Sequence, residues 1–113
     1  MARVKAKVAS GRDAPDLPPY AADVLDVVEL IPPGRVMSYG DIAEYLGAGG
    51  PRQVGSVMSH YGGAVAWWRV LRADGTPLPG EEHRALAEYR AERTPLRPGG
   101  RRVDMAKARW DGT

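Results

Sequence analysis

The chain has 113 residues and a mass of 12.2 kDa, enough to bury one core and too few for two, so a single domain is expected. It contains no cysteine, which excludes disulfides, thiolate zinc sites and any reaction that begins with attack by a protein sulfur. A formal net charge of +2 and a sequence pI near 9.2 say little as averages, so any electrostatic argument must come from how the charges are distributed.

That distribution is uneven. Residues 1–12 hold Arg3, Lys5, Lys7 and Arg12 with no acid, whereas residues 13–48 hold seven acids against Arg35 alone. From Arg90 onward seven bases (Arg90, Arg93, Arg97, Arg101, Arg102, Lys107 and Arg109) face Glu92, Asp104 and Asp111. A basic end of this kind suits a polyanion, although many solvated tails look alike. The N-terminus lacks an apolar run of signal-peptide length, and no stretch approaches the ~18 apolar residues of a membrane span. The expectation is a cytoplasmic protein with no membrane contact, associated with the nucleoid when bound to DNA.

In chain order, residues 1–17, with Gly11, Pro15, Pro18 and Pro19 near charged positions, read as a flexible lead-in to one domain over 18–113. Between Tyr20 and Ile31, Val24, Val27, Val28 and Ile31 repeat at helical spacing opposite Asp23, Asp26 and Glu29, and Pro32-Pro33-Gly34 ends the helix. Ser38 is placed to cap a second helix, with Asp41 in its first turn, Ile42, Leu46 and Tyr45 on its buried side, and Gly47 just past its end. Pro51 suits the first position of a third helix, whose stripe is Val54, Val57, Met58 and Tyr61. Two short helices joined by a Gly-containing turn form a helix-turn-helix candidate.

The third helix has an unusual outward face. Arg52, Gly55, Ser56 and Ser59 are small or cationic there, and a glycine inside a helix costs ~1 kcal/mol relative to alanine. Gly55 serves either close packing with a neighbouring helix or the approach of an external surface. Val65 to Leu71 predicts a buried strand or extended segment, Ala73-Asp74-Gly75-Thr76 a turn, and Glu81 to about Arg93 a charged helix anchored by Leu86 and Tyr89. The remainder reads as loop with a short closing element.

The run Ile31–Met58, IPPGRVMSYGDIAEYLGAGGPRQVGSVM, followed by AWWRV at Ala66–Val70, resembles the DNA-binding domain of O6-alkylguanine-DNA alkyltransferases, over roughly residues 20–80. Four pieces in fixed order carry the resemblance: the Pro-Gly turn, S-Y-x-x-I-A, R-x-V-G-x-x-M and the Arg-Val segment. Active members read Pro-Cys-His-Arg-Val in the last piece, and the cysteine accepts the alkyl group. Anchored on Arg69-Val70, the register places Trp67 at the cysteine position and Trp68 at the histidine position. An indole offers only an N–H donor and no useful nucleophile, so the chain resembles the alkyltransferase-like branch, which lacks the cysteine and is not an enzyme.

The resemblance implies a mainly α, winged-helix-like helix-turn-helix domain with a short strand or extended segment. It implies double-stranded DNA containing O6-alkylguanine as partner, nucleotide excision repair proteins as downstream partners, a monomer, and no cofactor. The recognition helix would enter the minor groove, which requires the slim face of Gly55, Ser56 and Ser59. Arg52 would fill the gap left by the extruded nucleotide, Tyr39 would push at its phosphate, and Ser38 and Gln53 join them as DNA-binding positions. The lesion pocket would comprise Trp67, Tyr39, Arg69 and Val65, with Trp67 packed on the flipped base, Arg69 orienting the segment or bonding backbone carbonyls, and Trp68 structural. Some alkyltransferase-like proteins carry a lesion-side arginine in the loop after the pocket segment; here Pro79 and Gly80 stand nearest by spacing, with Arg84 a little further on. Ala66 replaces the proline, the hinge asparagine is missing, and TPLPGEEHR departs from the serine- and glycine-rich loop of active members.

Two other readings remain at this level. A residual alkyltransferase or other repair enzyme would need an acceptor such as His60 or Glu81, which no motif supports. A sequence-specific regulator would need several long polar side chains on the recognition helix, where Gly55 and the serines stand. His60 and His83 have no matching ligand partners, so no metal is expected.

Overall fold

The computed structural model describes residues 17–113. Except for Leu17, which packs against the core, the expected lead-in over 1–17 lies outside the described residues. Helix α1 (Pro19–Leu30) starts on a proline and buries Val24, Leu25, Val27 and Val28, with Ile31 buried just beyond its end. Proline fits a first helical position because its missing N–H has no partner there, and Pro32-Pro33 cannot continue the ladder for the same reason.

Strand β1 (Met37–Ser38) leads directly into α2 (Tyr39–Leu46). Ser38 Oγ accepts the Asp41 N–H at 3.0 Å and Asp41 Oδ2 accepts the Ser38 N–H at 2.9 Å, a reciprocal capping box. Gly47 takes the left-handed conformation, φ 71°, and its N–H closes on Ala43 O. Tyr45 departs from expectation: Ile42 and Ala43 fill the buried side, and Tyr45 stays exposed, stacked on Trp110 with ring centroids 6.3 Å apart.

The turn over residues 47–50 hands the chain to α3 (Pro51–Tyr61), and α2, α3 and the turn make the helix-turn-helix. Val54, Val57 and Met58 are buried as predicted, but Tyr61 is exposed, because buried Gly62 occupies the inner position against Met58.

The strand expected over Val65–Leu71 shrinks to β2 (Val70–Leu71), preceded by a 3₁₀ turn at Trp67–Arg69. Local bonds displace a ladder here: the Trp67 N–H reaches Val65 O at 2.7 Å and the Arg69 N–H reaches Ala66 O at 3.1 Å. β2 pairs in parallel with β1, Met37 with Val70 and Ser38 with Leu71, and α2 and α3 form the long crossover that parallel pairing requires.

Helix α4 (Glu82–Glu92) buries Ala85 and Tyr89, with Leu86 partly covered. After an antiparallel bridge between Leu96 and Val103, a short α5 (Met105–Ala108) closes the chain beside β1, where the Val36 N–H reaches Ala108 O and the Trp110 N–H reaches Val36 O. Among the described residues the architecture is mainly helical around two apolar clusters. One joins α1, α2 and α3; the other joins Val36, Leu71, Ala85, Tyr89, Val103 and Ala108, and Trp67 packs against both.

Candidate functional site

Two features of the helix-turn-helix side meet at α3. Its outer face shows Arg52, Gln53, Ser56 and Ser59 exposed and Gly55 partly so. A Cβ built on Gly55 would meet nothing within 4 Å among the described residues. Packing against them is therefore not the reason for this glycine. Gln53 also serves the fold, since its Oε1 accepts the Gly50 N–H at 3.0 Å at the helix start.

Against the C-terminal half of α3 lies an open cavity of about 360 Å³, walled by Met58, Ser59, Gly62 and Gly63 on one side and Leu78, Pro79, Glu81 and Arg84 on the other. Trp67, half-buried, stands between them. The Arg84 guanidinium lies 5.2 Å from the centre of the Trp67 ring, a cation–π contact, while its Nη1 donates to Glu81 Oε1 at 2.8 Å. In the sequence Arg84 is visible only as a cation beyond the spacing match. The 77–81 loop and the first turn of α4 together carry it to the indole.

The next two residues face the scaffold. Trp68 Nε1 donates to Glu92 Oε2 at 2.9 Å, and the Tyr89 hydroxyl donates to Trp68 O at 2.7 Å. Arg69 grips Glu92 through Nε and Nη2, the latter at 2.6 Å, and donates to Ile31 O through Nη1 at 2.9 Å. The Gly34 N–H completes the set on Glu92 at 2.9 Å. Burial opposes the charge on Glu92, yet the hydrogen bonds from Arg69, Gly34 and Trp68 outweigh it and hold the carboxyl below its ordinary range. Glu92 gives no local signal in the sequence because its partners lie 23 to 58 residues away. Burial pushes the Tyr89 phenol up strongly.

The structure thus divides the expected site residues. Trp67 and Ser59 line the cavity. Val65 does not: it is buried in the main core, because the 3₁₀ turns on either side direct it inward. Arg69 is turned away from the cavity by its pairing with Glu92 and Ile31 O. Ser38 is buried and its hydroxyl is committed to the α2 cap, which removes it from the surface. Tyr39 lies at the start of α2, half-buried and outside the cavity wall, with its phenol raised by burial and partly lowered again by the charge of Arg72. His60 bonds its own helix through Nδ1 and Ser56 O at 2.9 Å.

Residues 19–93 match the family described as the 6-O-methylguanine DNA methyltransferase DNA-binding domain. The chain is 30% identical over 92 residues to the DNA base-flipping protein of Escherichia coli, covering 78% of this chain and 71% of that protein. It is 45% identical over 60 residues to alkyltransferase-like protein 1 of Schizosaccharomyces pombe, covering 50% of this chain and 56% of the other. The crystal structure of S. pombe Atl1 in complex with damaged DNA containing O6-carboxymethylguanine superposes with a TM-score of 0.69 at 29% identity, over 80% of this chain and 94% of that one. The Mycobacterium tuberculosis O6-methylguanine methyltransferase gives 0.57 at 31% identity over 71% of this chain, which spans about half of that enzyme, 53%.

Proposed function

Because this chain belongs to the family of the 6-O-methylguanine DNA methyltransferase DNA-binding domain, we propose that it binds O6-alkylguanine in duplex DNA without removing the alkyl group. The slim face of α3 enters the minor groove, Arg52 fills the gap in the base stack, and the extruded base enters the cavity beside Trp67. Tyr39, at the start of α2, assists at the phosphate of the extruded nucleotide. The observation that carries this reading is the half-buried Trp67 ring, which opens on a cavity next to α3 with Arg84 over it. The Trp67 face with Met58, Leu78 and Pro79 beside it suits a flipped base and its alkyl group, and the cavity volume lies within the ~300–1,000 Å³ of small-molecule sites.

Chemistry on the alkyl carbon needs a nucleophile. The chain has no cysteine, and the resemblance of Ala66–Val70 to the family's Pro-Cys-His-Arg-Val segment puts Trp67 and Trp68 in the places of the reactive pair. The reading extends to a cytoplasmic monomer that marks the lesion and leaves its removal to nucleotide excision repair. Open space above Gly55 supports groove entry over base-edge readout, which calls for long polar side chains on that face.

The test is a titration of one duplex sequence with and without O6-methylguanine, read by tryptophan fluorescence. The modified duplex should bind tighter. Arg52→Ala should lower that affinity by about tenfold or more, given the few kcal/mol needed to extrude a base, with an unchanged melting temperature. Equal affinity for the two duplexes would overturn the proposal, as would methyl label transferred to the protein.

A further inference from the structure

The parallel β1–β2 pair sends both of its strands toward one end of the molecule. There β1 runs into Tyr39 at the start of α2, and one step past the Ser38–Leu71 pair β2 runs into Arg72, which is exposed. The turn that follows β2 is tied to the C-terminal part of the chain, since the Val103 N–H reaches Gly75 O at 2.9 Å. Gly75, with φ 88°, is needed there because a Cβ would run into the Val103 carbonyl.

Val103 closes a second turn, Arg97-Pro98-Gly99-Gly100-Arg101-Arg102. It is pinned by the Leu96–Val103 bridge, by the Arg97 N–H on Arg102 O at 2.8 Å and by the Gly100 N–H on Arg97 O at 2.9 Å. Arg97, Arg101 and Arg102 all stand exposed on it. The Val103–Gly75 bond sets the two turns side by side, with Asp74, which accepts the Thr76 N–H at 2.9 Å, on the first of them. Among the described residues, the two turns and the ends of β2 and the bridge carry four exposed arginines, Arg72, Arg97, Arg101 and Arg102, against Asp74 and the half-buried Asp104. Arg109, by contrast, is paired with Asp41 at 3.0 Å and does not join them.

We infer that Arg72 and the Arg97–Arg102 turn form a second DNA surface, which binds backbone phosphates flanking the lesion. Guanidinium groups on a backbone-pinned turn match phosphate geometry, and ordering them costs less than ordering a free tail. Continuity with Tyr39 at the start of α2 favours the duplex already engaged by α3 over an acidic protein partner. The inference rests on the lesion-binding reading above and adds affinity that does not depend on the base.

The experiment compares the wild-type chain with the triple variant Arg97→Gln, Arg101→Gln, Arg102→Gln on modified and unmodified duplexes across a salt series. The variant should bind both duplexes about tenfold or more weakly at low salt, and its slope of log affinity against log salt should fall by about 0.9 for each phosphate that is no longer neutralised. The ratio between the duplexes should stay unchanged. The matching triple lysine variant should recover most of the slope. If the triple glutamine variant melts lower than wild type, single Arg101→Gln is read instead, with a proportionate fall in slope. An unchanged slope, or a loss confined to the modified duplex, would overturn the inference. Failure of the lesion-binding reading would show separately, as equal affinities of the wild-type chain for both duplexes.

Discussion

The helix-turn-helix and the segment that carries Trp67 are built in opposite ways. α2 and α3 are punctuated by residues that act within a few positions of themselves: Ser38 with Asp41, Gly47 with Ala43, Gln53 with Gly50. Trp67–Arg69 is turned locally by backbone bonds to Val65 O and Ala66 O, but none of its side-chain hydrogen bonds is local. It is held by Glu92, Tyr89 and Ile31 O, all at least 21 residues away. A recognition helix whose ends are specified locally can leave its outer face free for DNA, whereas a pocket wall needs distant elements to fasten it.

The sharpest way to break this comparison is Glu92→Ala. It strips partners from Arg69, Trp68 and the Gly34 N–H together, and removing one member of a largely buried pair should cost about 3 kcal/mol, measured by chemical denaturation. The folded carboxyl titrates below its ordinary value of 4.5, so its contribution is present above that pH and is lost as pH falls through the lowered value. Glu92→Gln should therefore flatten the acid side of the stability profile, and an unchanged acid limb would show that Glu92 does not anchor the segment.

Ser38→Ala tests the locally specified half. Loss of the cap should cost about 1 kcal/mol and leave the Trp67 environment, read by fluorescence, as it was. A perturbed Trp67 signal would mean that the two regions are less separate than their contacts indicate.

Gly55→Ala gives the smallest change and the most informative one. With no described residue above the position, alanine should raise stability by about 0.5–1 kcal/mol while weakening DNA binding, because the new methyl stands on the surface we propose enters the groove. Stabilisation with full binding would show that the slim face does not serve DNA.

Much of this is legible in the sequence. The 3.6-residue stripes of α1 and α3, the Ser38 cap, the Gly47 stop and Pro51 at a helix start each act within one or two turns of chain, and the structure reproduces them. The resemblance to a family motif singles out Trp67, and the structure leaves its ring half-buried beside a cavity. Periodicity puts Tyr45 and Tyr61 on the buried side, wrongly, because it cannot tell which edge of a stripe the neighbouring elements cover.

Composition, periodicity and capping residues thus determined by themselves that this cysteine-free chain carries a helix-turn-helix candidate with a slender third helix, and the family resemblance implied the mainly α class. Tertiary structure alone decided that Arg84 lies over Trp67, that Val65 is buried in the core, and that Glu92 is the partner of Arg69 and Trp68. The physical reason is range: helix ends are set by bonds between near neighbours, while a pocket exists only where segments dozens of residues apart are brought together by burial and by shared hydrogen-bond partners such as Glu92.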